Sequence, residues 1–302
     1  MMLQHLFAPV SAMLLAPLFV GVINRLKAFV AGRRGPPLVQ PYRDVWKLLR
    51  RGAVYGEVTT PLVRLGPVLN LATLLVSTVI VPFPGAGAAV SFPGDLIVLI
   101  GLLALGRFAT VLAALDTGSS FEGMGASREV HFAALAEPAF LIALATLARV
   151  TNATDLGSIY GAVTVASWTH AAAALALVGV SFLVLELVEN SRIPVDDPTT
   201  HLELTMIHEV MVLDHSGPDL GFIQYGTALK LWIVGALLVG LMPLHGVGVW
   251  LALGAAMLGM AGLAVAIGMI ESAMARYRLL TVPQFIVGAA TLAAVAFVVL
   301  LV

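Results

Sequence analysis

Apolar runs of about 20 residues follow one another along the chain, interrupted by short polar breaks and three longer polar stretches. A run of that length spans the roughly 30 Å hydrocarbon core of a bilayer as one helix. The pattern predicts eight spans, at about 4–30, 62–83, 95–115, 130–151, 162–189, 225–244, 247–270 and 282–301. Strand-like alternation, which a membrane barrel needs, is absent from the sequence. The predicted fold class is therefore all-α: a polytopic membrane protein, with residues 1–302 forming one integral membrane domain. No internal repeat is visible, which weighs against the inverted-repeat transporter folds.

The polar breaks differ sharply in charge. Arg25, Lys27, Arg33, Arg34, Arg43, Lys47, Arg50, Arg51 and Arg64 gather around the connection 31–61, and Arg128, Arg192, Arg276 and Arg278 fall on the same side if the spans alternate. The opposite connections, 84–94, 152–161 and 245–246, contain no lysine or arginine. The positive-inside rule then places the long loops 31–61, 116–129 and 190–224 in the cytoplasm and both termini outside. The first run lacks a basic leader and a small-residue cleavage pattern, so it reads as a retained span rather than a signal peptide. Residues 41–51 (PYRDVWKLLRR) form an amphipathic segment: Val45, Trp46, Leu48 and Leu49 suit the interface, while the basic residues suit headgroups or a docked partner.

Composition narrows the chemistry. The chain is 60% hydrophobic and only 11% charged, and its net charge of −1 offers nothing to nucleic acid. It contains no cysteine, so no disulfide, thiolate zinc site or ordinary iron–sulfur ligation can be built from it. Electron chemistry, if any, belongs to a partner.

Against that apolar background the acids stand out, because ionisable groups in membrane spans usually mark a polar pathway. Asp116, Glu122, Glu129 and Glu137, with Arg128, lie between the third and fourth runs. Glu137 precedes Pro138, whose ring frees a carbonyl one turn back for water or a polar side chain. Burial of Glu137 would suit it to proton exchange, and Arg107, mid-run in the third span, needs an acidic partner such as Glu137 or Glu186. Glu186 and Glu189 are three apart on one helical face, where two close carboxylates would share a proton. The loop beyond carries Asp196, Asp197, Glu203, Glu209 and Asp214, with His201, His208 and His215 every seven residues. Val212 stands where a zinc-protease HExxH motif needs its second histidine, so these histidines fit a titrating or partner-facing loop better than a metal site.

Three segments together resemble a known family: 33–51 (RRGPPLVQPYRDVWKLLRR), 115–129 (LDTGSSFEGMGASRE) and 189–196 (ENSRIPVD), joined by 213–217 (LDHSG) and 271–278 (ESAMARYR). They are similar to the eight-helix membrane anchor subunit shared by respiratory complex I and the energy-converting group 4 NiFe hydrogenases, nearer the formate hydrogenlyase and hydrogenase-4 branch. The resemblance implies a non-redox subunit of the inner membrane of a prokaryote. It would dock a soluble arm, built of a hydrogenase-like large subunit and an Fe–S small subunit, and contact antiporter-like membrane subunits. It implies no cofactor in this chain, with Fe–S clusters and Ni–Fe, or quinone, in or beside the partners. The proton (or Na⁺) path it implies runs through Glu137, Glu189, Asp196 and Glu203, to which Glu186, Asp197 and Arg107 are added from the residues. The expected docking surface comprises Arg33, Arg34, Gln40, Arg43, Asp44, Lys47, Asp116, Glu122, Arg128, Glu129, Arg192 and Asp214. One departure is plain: the family's loop runs roughly PFDLxEAExEL, whereas here it reads PVDDPTTHLEL, with Thr199 and His201 in place of glutamates. Two other readings remain: a quinone-chamber subunit of a complex I-type NADH:quinone oxidoreductase, and a stand-alone proton-coupled transporter.

Overall fold

In a computed structural model the protein is described over residues 6–196 and 206–301. Among the described residues, eight helices are long and apolar enough to cross a membrane. They are α1 (Phe7–Val30), α3 (Pro61–Ile80), α4 (Asp95–Asp116), α5 (Ser120–Thr151), α7 (Val165–Glu189), α8 (Gly217–Val239), α9 (Val249–Ala273) and α10 (Val282–Val299), the last entered through a 3₁₀ turn, Leu279–Thr281. The remaining helices are α2 (Gln40–Leu49) and α6 (Leu156–Gly161).

Helix α8 is the core of the bundle, packed by α1, α2, α3, α7 and α9. Its most apolar window is the most buried of the eight. Small residues permit the close crossings that membrane helices use in place of a hydrophobic driving force. At Gly66 of α3, an added Cβ would sit 2.6 Å from the Ala113 Cβ and 2.9 Å from the Ala109 carbonyl oxygen of α4. Only glycine lets those two backbones meet.

The helices differ from the expected spans most clearly in three places. Helix α5 begins at Ser120, so most of the expected loop 116–129 is helical. At 32 residues, α5 is about 48 Å long, well beyond a roughly 30 Å core. Its extra turns are stabilised from outside: Ala126 joins Met211 and Val212 in a small apolar cluster, and Gly125 leaves room for Val210. Helix α8 likewise starts at Gly217 rather than near 225, with Pro218 in its first turn, where a missing N–H costs nothing. The stretch 156–161 is a separate short helix, split from α7 at a capping box between Thr164 and Ser167.

Ionic ties fix which ends lie together. Lys27 near the end of α1 and Arg192 just after α7 both reach Glu271 near the end of α9, at 2.8 and 3.3 Å. The C-terminal ends of these three spans therefore share one side. At the other side, Asp155 caps α6 by accepting from the Ser158 N–H at 2.8 Å and from the Ser91 hydroxyl at 2.8 Å. The Ser158 bond holds the Asp155 carboxyl below its usual range. A depressed folded pKa means the stabilisation is complete above the unfolded value and fades as pH falls through the folded one. Asp155→Ala should thus cost about 1 kcal/mol at neutral pH, and the gap from wild type should close in acid. Thermal unfolding in detergent across a pH series checks both.

A buried ion cluster at the centre of the bundle

Arg107 sits mid-way along α4, its side chain only 8% exposed. A guanidinium in such a place must be paired, since an unpaired buried charge costs several kcal/mol. Its planar fork of donors reaches carboxylates on two helices. Nε lies 3.3 Å from Glu129 Oε1, Nη1 2.6 Å from Glu137 Oε1, and Nη2 2.5 Å from Glu189 Oε2. Glu129 and Glu137 are eight residues apart on α5, hence on nearly the same face. Glu189 closes the last turn of α7 and also receives Lys230 Nζ of α8 at 2.9 Å. Four helices thus converge on five charges, three acids and two bases. A cavity of about 30 Å³ beside them is lined by polar Asn70, Thr110 and Thr227 as well as by the charges, which is room for a water or two.

Several expectations are corrected here. Arg107 pairs with Glu137 as anticipated, and also with Glu129 and Glu189, but not with Glu186. Among the described residues no hydrogen bond joins Glu186 to Glu189. A three-residue step turns the helix by about 300°, enough to give them different neighbours. Glu189 meets two cations, while the fully buried Glu186 has neither carboxylate oxygen hydrogen-bonded and lies beside Gly235 of α8. Glu137 is not deeply buried: its side chain is 35% exposed on the outside of the bundle.

The expected docking residues divide. Arg33, Arg34, Arg43, Lys47 and Asp214 are exposed, and Gln40 donates to Asp44 at 2.8 Å along α2. Helix α2 has no buried residue; its Trp46 is exposed beneath the Arg50 guanidinium, 4.4 Å from the ring centroid. The others are occupied within the chain. Asp116 accepts from the Thr60 N–H and hydroxyl, both at 2.8 Å, tying α4 to the start of α3. Arg128 donates to the Met206 carbonyl at 2.8 Å, and Glu129 belongs to the ion cluster. Glu122 is fully buried, accepting from the Asp214 N–H at 2.9 Å, and Arg192 is buried against Glu271. Both side chains lie inside the protein, because the start of α5 packs against residues 207–212 and Arg192 turns toward the end of α9. Asp196 is also buried, paired with Arg276 at 2.9 Å and accepting from the Ile207 N–H at 2.8 Å. Asp197, Thr199, His201 and Glu203 lie outside the described residues.

Reading the sequence missed Lys230, Lys27 and Glu271 as site residues. The signal for Lys230 was present: it is the one lysine or arginine in its run, 217–239. Two histidines of the loop turn inward. His215 is buried with both ring nitrogens unpartnered, and burial pulls its imidazole below the usual range against the opposing pull of Asp219 and Asp214. His208 has its Nε2 buried. A larger cavity, about 270 Å³, opens between α1, α2, α8 and this loop, lined by Asn24, Asp44, Gln224 and Tyr225 among others.

An apolar eight-span bundle with charges from four helices clasped at its centre defines a polytopic membrane protein with a polar, ionised interior. The chain belongs to the NADH dehydrogenase family, whose model matches residues 3–302. It is 32% identical over 296 residues to formate hydrogenlyase subunit 4 of Escherichia coli, covering 95% of this chain and 94% of that protein. It is 34% identical over 232 residues to hydrogenase-4 component C of the same organism, covering 77% and 72% respectively. Its fold matches a chain of the membrane-bound sulfane sulfur reductase, an archaeal respiratory membrane complex, with a TM-score of 0.82 over 99% of this chain and 98% of that one at 17% identity.

Proposed function

We propose that this chain is the non-redox membrane subunit of a hydrogenase-type assembly related to respiratory complexes, and that it moves protons through the cluster around Arg107. The observation that carries the reading is that cluster: three carboxylates and two cations held together within a bundle of apolar helices, with only Glu137 reaching its outer face. An ion cluster is costly to bury and often less stable than an apolar replacement. Its presence in a membrane interior therefore points to transport. Each carboxylate can release its cation when protonated, so a change of charge at one end alters proton affinity at the next. Glu137, exposed on the outside of the bundle, is where the path leaves toward a neighbouring membrane subunit of the antiporter-like kind. A bare carboxylate facing lipid would be expensive, so this face is best covered by protein.

The exposed bases Arg33, Arg34, Arg43 and Lys47 face the cytoplasm in this reading and receive the soluble arm, a hydrogenase-like large subunit with its Fe–S partner. Nickel, iron–sulfur clusters and electron donor sit in those partners, since this chain has no thiolate to offer. Tagging the chain and purifying it in mild detergent should bring down a soluble arm and membrane partners. In Arg43→Glu/Lys47→Glu the soluble arm should be lost and the membrane partners kept. Purification as a lone chain would end the proposal.

The 270 Å³ cavity supports a second reading, a chamber for a quinone headgroup. Electron transfer to added quinone that depends on residues such as Tyr225 would favour it.

A further inference from the structure

We infer that His208 is the relay through which protons pass from the larger cavity to the ion cluster. This rests on the proton-moving reading above and adds the entry step that reading lacks. The two cavities lie side by side, and among the described residues the same four line both: Asn190, Ser191, His208 and Thr227. Asn190 donates its amide to the Glu186 carbonyl at 2.9 Å, and Thr227 donates its hydroxyl to the Ile223 carbonyl at 3.0 Å. Neither these two nor Ser191 exchanges protons near neutral pH. Of the four, only His208 carries an imidazole, a ring with one nitrogen that donates and one that accepts. Among the described residues its buried Nε2 has no hydrogen-bond partner, a costly state for a ring nitrogen unless something transient fills the position.

Ionisable groups lie on both sides of this junction. On the smaller cavity His208 faces Arg107, Glu129, Glu189 and Lys230; on the larger it faces Asp44, Arg192, Asp196 and Glu209. A proton arriving from the larger cavity binds one ring nitrogen, giving an imidazolium. The proton on the other nitrogen then leaves into the smaller cavity toward a carboxylate of the cluster. This leaves the imidazole in the opposite tautomer, and rotation of the ring restores the starting state, so one proton enters and one departs in each cycle.

The test uses the assembled complex in sealed vesicles, following redox-driven proton movement beside the rate of electron transfer. His208→Gln keeps size and hydrogen bonding but cannot take up a proton, and should lower proton movement roughly a hundredfold while the complex stays assembled. His208→Ala should show the same loss, with recovery on adding imidazole, which a merely structural histidine would not show. Full proton movement in His208→Gln would overturn the proposal, as would a loss in His208→Ala that imidazole does not restore. In the unmodified complex labelled with ¹⁵N in the histidine rings, infrared difference spectra during turnover should show imidazole bands changing protonation. Their absence would also overturn it, even if the variants failed to assemble. Glu189→Gln separates this proposal from the reading beneath it. Loss of proton movement in Glu189→Gln with none in His208→Gln removes His208 alone, whereas no loss in either removes the proton path itself.

Discussion

Arg107→Met should be the most damaging single change in the protein. The arginine neutralises Glu129, Glu137 and Glu189 at 3.3, 2.6 and 2.5 Å, and without it only Lys230 remains for the three acids. Breaking a buried ion pair from one side costs about 3–5 kcal/mol, because the abandoned charge stays desolvated. Here the abandoned charges also repel one another. The variant should lose several kcal/mol of stability and all redox-linked proton movement, read from unfolding in detergent and from vesicle assays. Arg107→Lys should rescue little, since one ammonium cannot present three separated donors to two helices at once. A fully stable, fully coupled Arg107→Met protein would show that the cluster neither holds α4, α5 and α7 together nor carries protons.

Glu137→Gln should produce the opposite combination, a sound fold without coupling. Arg107 keeps Glu129 and Glu189 as ionic partners, and glutamine matches glutamate in size, so the change should cost little stability. The amide oxygen can still accept from Nη1. What it cannot do is take up and release a proton. If the path leaves the bundle at Glu137, proton movement per electron should fall to background in an assembled complex. Unchanged pumping would move the exit elsewhere on the chain. Comparing the two variants separates a structural role of the cluster from a conducting one, because Arg107 serves both and Glu137 only the second.

The membrane fold was legible because its signal is additive. Each apolar run of sufficient length is a span whatever surrounds it. The family resemblance was legible for a related reason: its motifs lie in loops and helix ends, where residue identity is specific. Boundaries failed where tertiary contacts extended a helix past its apolar run, as for α5, whose first turns are polar but rest on Val210, Met211 and Val212.

The site was legible only by residue type. An arginine and several acids in apolar runs announced ionic chemistry, and Arg107 with Glu137 was anticipated. Spacing along one helix could not say which acid each base meets. That choice depends on which faces of α4, α5, α7 and α8 point inward, and rotation by a single residue changes it by about 100°. So the sequence by itself determined an all-helical, eight-span membrane protein of a recognisable family with an ionisable interior. The tertiary structure decided that Glu189 and not Glu186 meets Arg107, that Glu122 and Arg192 are inside, and that Lys230 completes the cluster. The physical reason is one of range: hydrophobicity acts on each segment separately, whereas a buried charge is satisfied only by a partner that packing brings within about 3 Å.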